Sequence, residues 1–464
     1  MESTPIPNEA WFADPALNLL QHGHLGTSIL SSEGTWLAGI DRHTYWVMPL
    51  HLVLQAAWYK AFGFNLLTLR LLSFFCGLGL IAAWYVILRE IPGTARAAPV
   101  CVFLLALDYQ FLRSATFGRM EALCALLGSG GLAVFLLLNA RHPGWARLAA
   151  HALAALGLLA HPSAFVYTLD LLVLEFFLSG WRPTPRAMIA TLVPYLVAGA
   201  CLLTWASADW PSFLSQLGGN ISGFAGEYEG ARRFSGLLHP WTALSAELNR
   251  RYLQSYPPWA GLAVLWAYAA GIVWILARAP LWKDRGVRLV LILFATHFCF
   301  FWLFDGLKLS NYLIHLLPLI VALATISGFD FVAGRRSLAA ALLLALVFLQ
   351  ASAVRHEIRR SNLREDYQPV VQLLRRYPGR SIAGPAELAF ALGFSGLLQD
   401  DVRMGCYSGR RPDIYITSHW QRRWLQRARQ SEPAAAACVQ NQLDAGFHRI
   451  FRSPDYEVWL RGRP

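Results

Sequence analysis

Between residues 66 and 354 long apolar runs alternate with short polar breaks, at about 66–88, 97–112, 119–140, 145–161, 163–180, 186–206, 259–278, 287–304, 310–330 and 337–354. A helix crossing a hydrocarbon core of ~30 Å takes roughly 20 residues, because each advances the chain by ~1.5 Å. The pattern predicts a mainly α, polytopic helical membrane protein with about ten transmembrane helices, two of them short. Outside this region the apolar runs lose their length. Residues 1–65 mix Trp, His and acidic residues, with Gly and Ser at 23–34. Residues 355–464 carry strand-like runs, SIAGP at 381–385, DIYITS at 413–418 and YEVWL at 456–460, separated by helix-like sequence. These predict a small C-terminal α/β domain. The chain thus reads as three parts, 1–65, 66–354 and 355–464, the second containing a long loop at 207–258.

The polar breaks set the orientation, because short loops rich in Lys and Arg stay in the cytoplasm. One set of alternate loops carries Arg89 and Arg96, Arg141 and Arg147, Arg182 and Arg186, then Arg278, Lys283, Arg285 and Arg288, and finally Arg335 and Arg336. The other short loops hold only Arg113, Arg119 and Lys308. The first set is expected inside, which places residues 1–65, the 207–258 loop and the C-terminal domain in the extracytoplasmic space. Residues 45–62 also look apolar, yet counting them as a span inverts every later loop. They are read as an interfacial helix on the outer face, with Trp46, Trp58, Tyr59 and Lys60 at headgroup level; a true span with a broken charge bias is the alternative.

Composition agrees with membrane embedding: 56% of residues are hydrophobic and only 15% charged, with a mean hydropathy of +0.39, which excludes an ordinary soluble domain. The net charge of +12 comes without a nucleic-acid motif; attraction to anionic lipid and phosphate headgroups accounts for it, and no nucleic-acid partner is expected. Cys406 and Cys438 both fall in the outer domain, where an oxidising compartment permits a disulfide; two free thiols are the other reading. No C-x-x-C or His-rich zinc pattern occurs, so no structural metal is expected.

Ionisable groups near the bilayer are costly and therefore point to function. Four outer clusters stand out: Asn8-Glu9 through Asp14, Arg119-Met120-Glu121, Lys308 through Tyr312 and His315, and the stretch with Asp41, Arg42, His43 and His51. In order and placement these resemble the glycosyltransferase-C superfamily, in the group of protein O-mannosyltransferases and aminoarabinose transferases. Its acidic pair, Pro-Leu interfacial helix and Arg-Leu pair look like Asn8-Glu9, Pro49-Leu50 and Arg70-Leu71; its second acidic motif is similar to Arg119 through Ala122, and its Tyr-Leu-x-x-x-x-Pro motif to Tyr312 through Pro318.

The resemblance implies a membrane glycosyltransferase, a hexosyl- or pentosyltransferase of the cell envelope. It would move a sugar, with inversion, from a polyprenyl-phosphate donor to an extracytoplasmic lipid, glycan or protein acceptor. Its site would lie on the outer face of the cell membrane, the inner membrane of a bacterium. Such transfer needs a carboxylate for the acceptor hydroxyl and cations for the departing phosphate. Glu9 and Glu121 are the catalytic candidates, with Asp14 in reserve. Arg119, Lys308, Arg113 and Arg42 are candidates for the donor phosphate, and Asn8, His43, Tyr312 and His315 for substrate binding. No cofactor is assigned, and a divalent metal is left open.

Two features depart from the family. Asn8 stands where it has Asp, and family members carry a span before this loop, whereas Met1 precedes the motif by only a few residues. Either the start lies upstream or the N-terminus is exported without that helix. Plainer readings stand beside the functional ones: Glu121 as a partner of a helix dipole, Arg113 and Arg119 as snorkelling side chains, Tyr312 and His315 as packing residues. Alternative functions are a transporter or flippase of lipid-linked sugars and a non-catalytic scaffold of the same fold.

Overall fold

The computed structural model describes all residues except 1–3, 34, 180–183, 222–234, 258, 360–361 and 463–464. Its main helices, in chain order, are α1 (Pro7–His22), α2 (Pro49–Phe62), α3 (Leu66–Glu90), α4 (Ala98–Leu107), α5 (Tyr109–Thr116), α6 (Glu121–Leu138), α7 (Pro143–Ala160), α8 (Phe165–Ser179), α9 (Pro185–Ala206), α10 (Trp210–Ile221), α11 (Ala260–Ala277), α12 (Arg285–Phe304), α13 (Leu313–Phe331), α14 (Arg336–Arg359), α15 (His419–Ser431) and α16 (Pro433–Gly446). Five strands follow the membrane region: β1 (Ile382–Ala383), β2 (Leu398–Gln399), β3 (Ile414–Ser418), β4 (Phe447–Arg452) and β5 (Tyr456–Arg461).

Each of the ten expected spans coincides with helix, but among the described residues only seven helices are long and apolar enough to cross a membrane, or eight when a bent pair counts as one. Two causes reduce the count of about ten. α8 has 15 residues, short of the roughly 20 that cross hydrocarbon, and the polar side chains of Arg147 and His151 interrupt α7. The bent pair is α4 and α5, which meet at 66°. Asp108 causes the break: its backbone turns extended, and its Oδ1 accepts from the N–H groups of Gln110 (2.9 Å) and Phe111 (3.0 Å), capping α5. Gln350 Nε2 (2.9 Å) and the Tyr268 hydroxyl (3.2 Å) satisfy its other oxygen. α2 has 14 residues, about 21 Å at ~1.5 Å each, too short to span.

The described residues form two compact units, one of residues 1–70, 206–232 and 360–464, the other of 71–205 and 233–359. The second is the helical bundle. Its most enclosed helix runs through Ser310–Phe331, 83% buried, whereas the span beginning at Pro185 is 11% buried and presents its apolar side chains outward.

In the first unit the sheet order is β2-β1-β3-β5-β4, parallel among β2, β1 and β3 and antiparallel from β3 through β5 to β4. β3 is buried along its whole length, because alternate side chains enter cores on opposite faces. Ile414 and Ile416 join Ala10, Ile29, Val370, Leu388 and Val458; Tyr415 joins Trp424, Ala428, Ala435 and Val439. The first of these cores is shared with α1, so the N-terminal segment and the C-terminal domain fold as one body. The expected strands at 381–385, 413–418 and 456–460 are β1, β3 and β5; β2 and β4 complete the sheet. A disulfide joins Cys406 to Cys438, with Cα atoms 6.2 Å apart.

Candidate functional site

In the first unit the polar groups are arranged around the first turns of α1. Glu9 sits at the third helical position, where its Oε2 accepts from the Ile6 N–H at 3.1 Å and ties down the start of the helix. Arg70, near the start of α3, holds the same carboxylate with two parallel bonds, Nε to Oε1 at 2.8 Å and Nη2 to Oε2 at 2.7 Å. Both side chains are buried, 0% and 2% exposed. Asn8 is half-buried beside them. α2 turns His51, Gln55 and Tyr59 inward at helical spacing. Both amide atoms of Gln55 and the Tyr59 hydroxyl lack a hydrogen-bond partner among the described residues. Burial, and secondarily the nearby Glu9 charge, push the Tyr59 phenol above its ordinary range.

Asp14 does different work one and a half turns further on. It accepts from the Thr27 hydroxyl (2.6 Å) and from the N–H groups of Ser28 (2.6 Å) and Ile29 (3.2 Å). Asn18 adds a bond from its Nδ2 to the Gly26 carbonyl at 2.8 Å. The loop passes so close to its neighbour that a Cβ on Gly26 would sit 1.9 Å from the Asp41 carbonyl oxygen, so only glycine fits there. Desolvation raises the Asp14 carboxyl above its ordinary range, opposed by these hydrogen bonds.

A third device is buried Gln216 on α10. Its Oε1 accepts from the N–H groups of Tyr45 (2.6 Å) and Trp46 (3.1 Å), and its Nε2 donates to the carbonyls of Ala38 (2.7 Å) and His43 (2.8 Å). This fixes the loop that carries His43, whose ring stacks on Tyr45 at 5.3 Å. Arg42 points outward, 80% exposed and 3.8 Å from Asp41.

In the bundle, Glu121 opens α6 and is gripped by Arg119, whose Nε lies 3.0 Å and 3.1 Å from the two carboxylate oxygens, with a further bond from Nη2 to Oε1. Arg119 is itself placed by the Ser73 hydroxyl, which donates to its carbonyl at 3.2 Å. Lys308 has a left-handed backbone, φ 53°, and its ammonium is committed to the carbonyls of Phe301 (2.9 Å) and Trp302 (2.7 Å) and to Glu247 (3.1 Å). Burial lowers the Lys308 amine, with Glu247 and Asp305 acting against it.

Arg251 completes that cluster. It pairs with Glu247 and with Asp305, donates to the Leu309 carbonyl at 3.0 Å, and lies over the rings of Phe301 (5.1 Å) and Tyr312 (5.6 Å). Two carboxylates and two cations therefore cancel. The Tyr312 hydroxyl is 3.4 Å from His161 Nε2. His161 Nδ1 accepts from the Ser163 N–H at 3.1 Å, which puts the proton of the neutral ring on Nε2, facing Tyr312. His315 Nδ1 meets the Tyr167 hydroxyl at 2.8 Å, and His297 meets Asp170 at 2.6 Å. Arg113 is half-buried on α5, over the Phe117 ring at 5.4 Å.

The structure thus gathers Asn8, Glu9 and Asp14 on α1, with Arg42 and His43 in the following loop, in one unit. It gathers Glu121 with Arg119, and Lys308 with Tyr312, in the other, where His315 and Arg113 also lie. Glu227, Tyr228, Glu229, Arg232 and Arg233 of the 207–258 loop lie outside the described residues. Sequence reasoning passed over Glu247, Arg251, Asp305 and Gln216. The spacing of Glu247 and Arg251, four apart, was the available signal.

The structure resembles two solved membrane enzymes over nearly its whole length. ArnT from Cupriavidus metallidurans in the apo state superposes with a TM-score of 0.58, covering 98% of this chain and 94% of that one at 16% identity. The Archaeoglobus fulgidus oligosaccharyltransferase in the apo form gives 0.52, covering 99% of this chain and 71% of that one at 12% identity. The chain has the glycosyltransferase-C fold. At such identities the likeness is one of fold. An uncharacterised protein of Aquifex aeolicus (strain VF5) is 29% identical over 116 residues, 25% of this chain, and the match spans about a fifth, 21%, of that relative. No family model matches the chain. On the glycosyltransferase-C fold, several candidate spans make this a multi-pass membrane protein.

Proposed function

We propose that the protein is a membrane glycosyltransferase that moves a sugar from a polyprenyl-phosphate carrier to an extracytoplasmic lipid, glycan or protein acceptor, with inversion. The observation that carries this reading is the fold likeness to ArnT, which covers nearly all of both chains. The arginine distribution supports a site on the outer face of the cell membrane, the inner membrane of a bacterium, with residues 1–65, 207–258 and 355–464 outside.

In the reaction the acceptor oxygen attacks the anomeric carbon as the sugar–phosphate bond breaks, and the acceptor proton passes to a carboxylate. Glu9, held by Arg70 and Ile6, and Glu121, held by Arg119, are the carboxylates we assign to that proton. The arginines hold those carboxylates in place without reorganisation. Lys308 and Arg251 are the bundle cations for the departing phosphate, which must compete with Glu247 and Asp305 for them. Asp14 we assign to clamping residues 27–29. Among the described residues no group of three or more His, Cys, Asp or Glu side chains is arranged to hold a metal ion.

A second reading, a non-catalytic protein of the same fold, is favoured by Asn8 at the family's acidic position and by the arginine closing each remaining carboxylate. One assay separates the two. Purified protein in detergent is supplied with undecaprenyl- or dolichyl-phosphate sugars and candidate acceptors. Consumption of donor that drops at least tenfold in Glu9→Gln or Glu121→Gln supports transfer, and detergent leaves no second compartment to transport into. An inert wild type across the donors, or normal turnover in both variants, defeats the catalytic assignment.

A further inference from the structure

Away from these residues, the C-terminal domain has a cleft of about 460 Å³ lined by Arg422, Arg452, Ser453, Pro454 and Glu457. It lies where the turn between β4 and β5 meets the first turns of α15. Arg422 reaches this turn and donates from Nη2 to the Pro454 carbonyl at 2.6 Å, while its Nη1 is buried and has no hydrogen-bond partner among the described residues. A buried guanidinium N–H without an acceptor is unfavourable, and native structures leave few such groups. Arg422 also lines the cleft, so a small turn of its guanidinium would bring Nη1 to an acceptor held there.

The other residues set the chemistry of that acceptor. Arg452 is 66% exposed, with its Nε 3.4 Å from Glu457, and at that exposure its fork is accessible to a ligand. Arg449 adds a third cation, 3.6 Å from the same Glu457. Three arginines face one lining carboxylate. Asp455, next in sequence to Pro454, is occupied by Asn362 and by His419 at 3.7 Å. Guanidinium forks match the spaced oxygens of a phosphate, and Glu457 accepts from hydroxyls carried beside it.

We propose that this cleft binds a phosphate ester bearing hydroxyl groups, through Arg422 and Arg452, at a site separate from the transfer chemistry. The ligand is either a water-soluble glycerol or sugar phosphate or the headgroup of a phospholipid. The site does not depend on the transferase reading.

Full-length protein in detergent, titrated by calorimetry with sn-glycerol 3-phosphate and, separately, with short-chain phosphatidylglycerol, tests the proposal. Saturable binding of either probe that weakens at least tenfold in Arg452→Glu and in Arg422→Gln supports it, and the tighter probe identifies the source. Arg452 is exposed, so its variant keeps the test valid even where Arg422→Gln unfolds the turn. Absence of saturable binding to both probes, or affinity unchanged in Arg452→Glu, overturns it. Equal affinity for glycerol would also overturn it, because the phosphate would then contribute nothing.

Discussion

Arg70 and Glu9 form a buried, two-bond ion pair across 61 positions of sequence, with N–O distances of 2.7 and 2.8 Å. A pair withdrawn from water this completely is favourable only while both members are present. Replacing Arg70 or Glu9 alone by Ala leaves one buried charge uncompensated and is expected to cost roughly 3–5 kcal/mol. Glu9→Gln with Arg70→Met should lose less than the sum. A double-mutant cycle on unfolding midpoints measures the coupling, and strict additivity would show that the pair contributes nothing.

Glu121 makes its prediction through activity. Glu121→Gln removes the charge and keeps the shape, so turnover should fall by about 10²–10⁴ with little change in KM. Arg119→Lys, which cannot reproduce the planar fork, should fall toward the same level. Initial rates against donor concentration separate the two parameters.

Asp14 should behave as a structural residue. Asp14→Ala strips acceptors from the backbone N–H groups of Ser28 and Ile29 and from the Thr27 hydroxyl, a loss of about 2–4 kcal/mol. Thermal scanning should show the drop, with hydrogen exchange faster at residues 27–29. Full stability with lost turnover would instead return Asp14 to the chemistry.

Glu387 gives the C-terminal domain a pH dependence. It is buried, accepts from the Tyr456 hydroxyl at 2.9 Å, and has its carboxyl pushed up to about 8, mainly by burial. The folded protein therefore holds this proton where the unfolded chain releases it. Stability from this group is full below the ordinary glutamate range and falls as pH rises through about 8. Glu387→Gln should abolish that decline, so that the unfolding midpoints of the two proteins diverge between pH 5 and 8.5, by an upper bound of roughly 5 kcal/mol.

The Cys406–Cys438 bridge tests both stability and sidedness. Cys438→Ser should destabilise the C-terminal domain by about 2–4 kcal/mol. Protein taken from cells under denaturing, non-reducing conditions should resist maleimide at both positions, because an extracytoplasmic domain is oxidised. Full labelling of both thiols would place the domain in the cytoplasm.

Particular residues show where the sequence sufficed. The apolar runs around 66–88, 119–140 and 310–330 needed no partner to be recognised, because hydrocarbon solvates a helix by composition and length alone. α7 and α8 form as helices but fall outside the seven or eight candidate spans, α7 with Arg147 and His151 among its apolar residues and α8 with only 15 residues. Asp108 bent the segment at 97–112 through a cap that a hydropathy pattern does not register. β1, β3 and β5 were visible as alternating runs; two-residue β2 was not.

The sequence by itself determined the helical membrane class, the strand-bearing C-terminal domain, and which residue types are costly enough near lipid to matter. Only the tertiary structure decided their partners: Glu9 with Arg70, Glu121 with Arg119, Lys308 with Glu247, Asp14 with the backbone of residues 28 and 29, and α1 with the sheet some 370 residues later. The reason is physical. Burial and periodicity are properties of a stretch of chain, whereas pairing charges requires that distant stretches be brought within about 3 Å, and no local pattern records which ones.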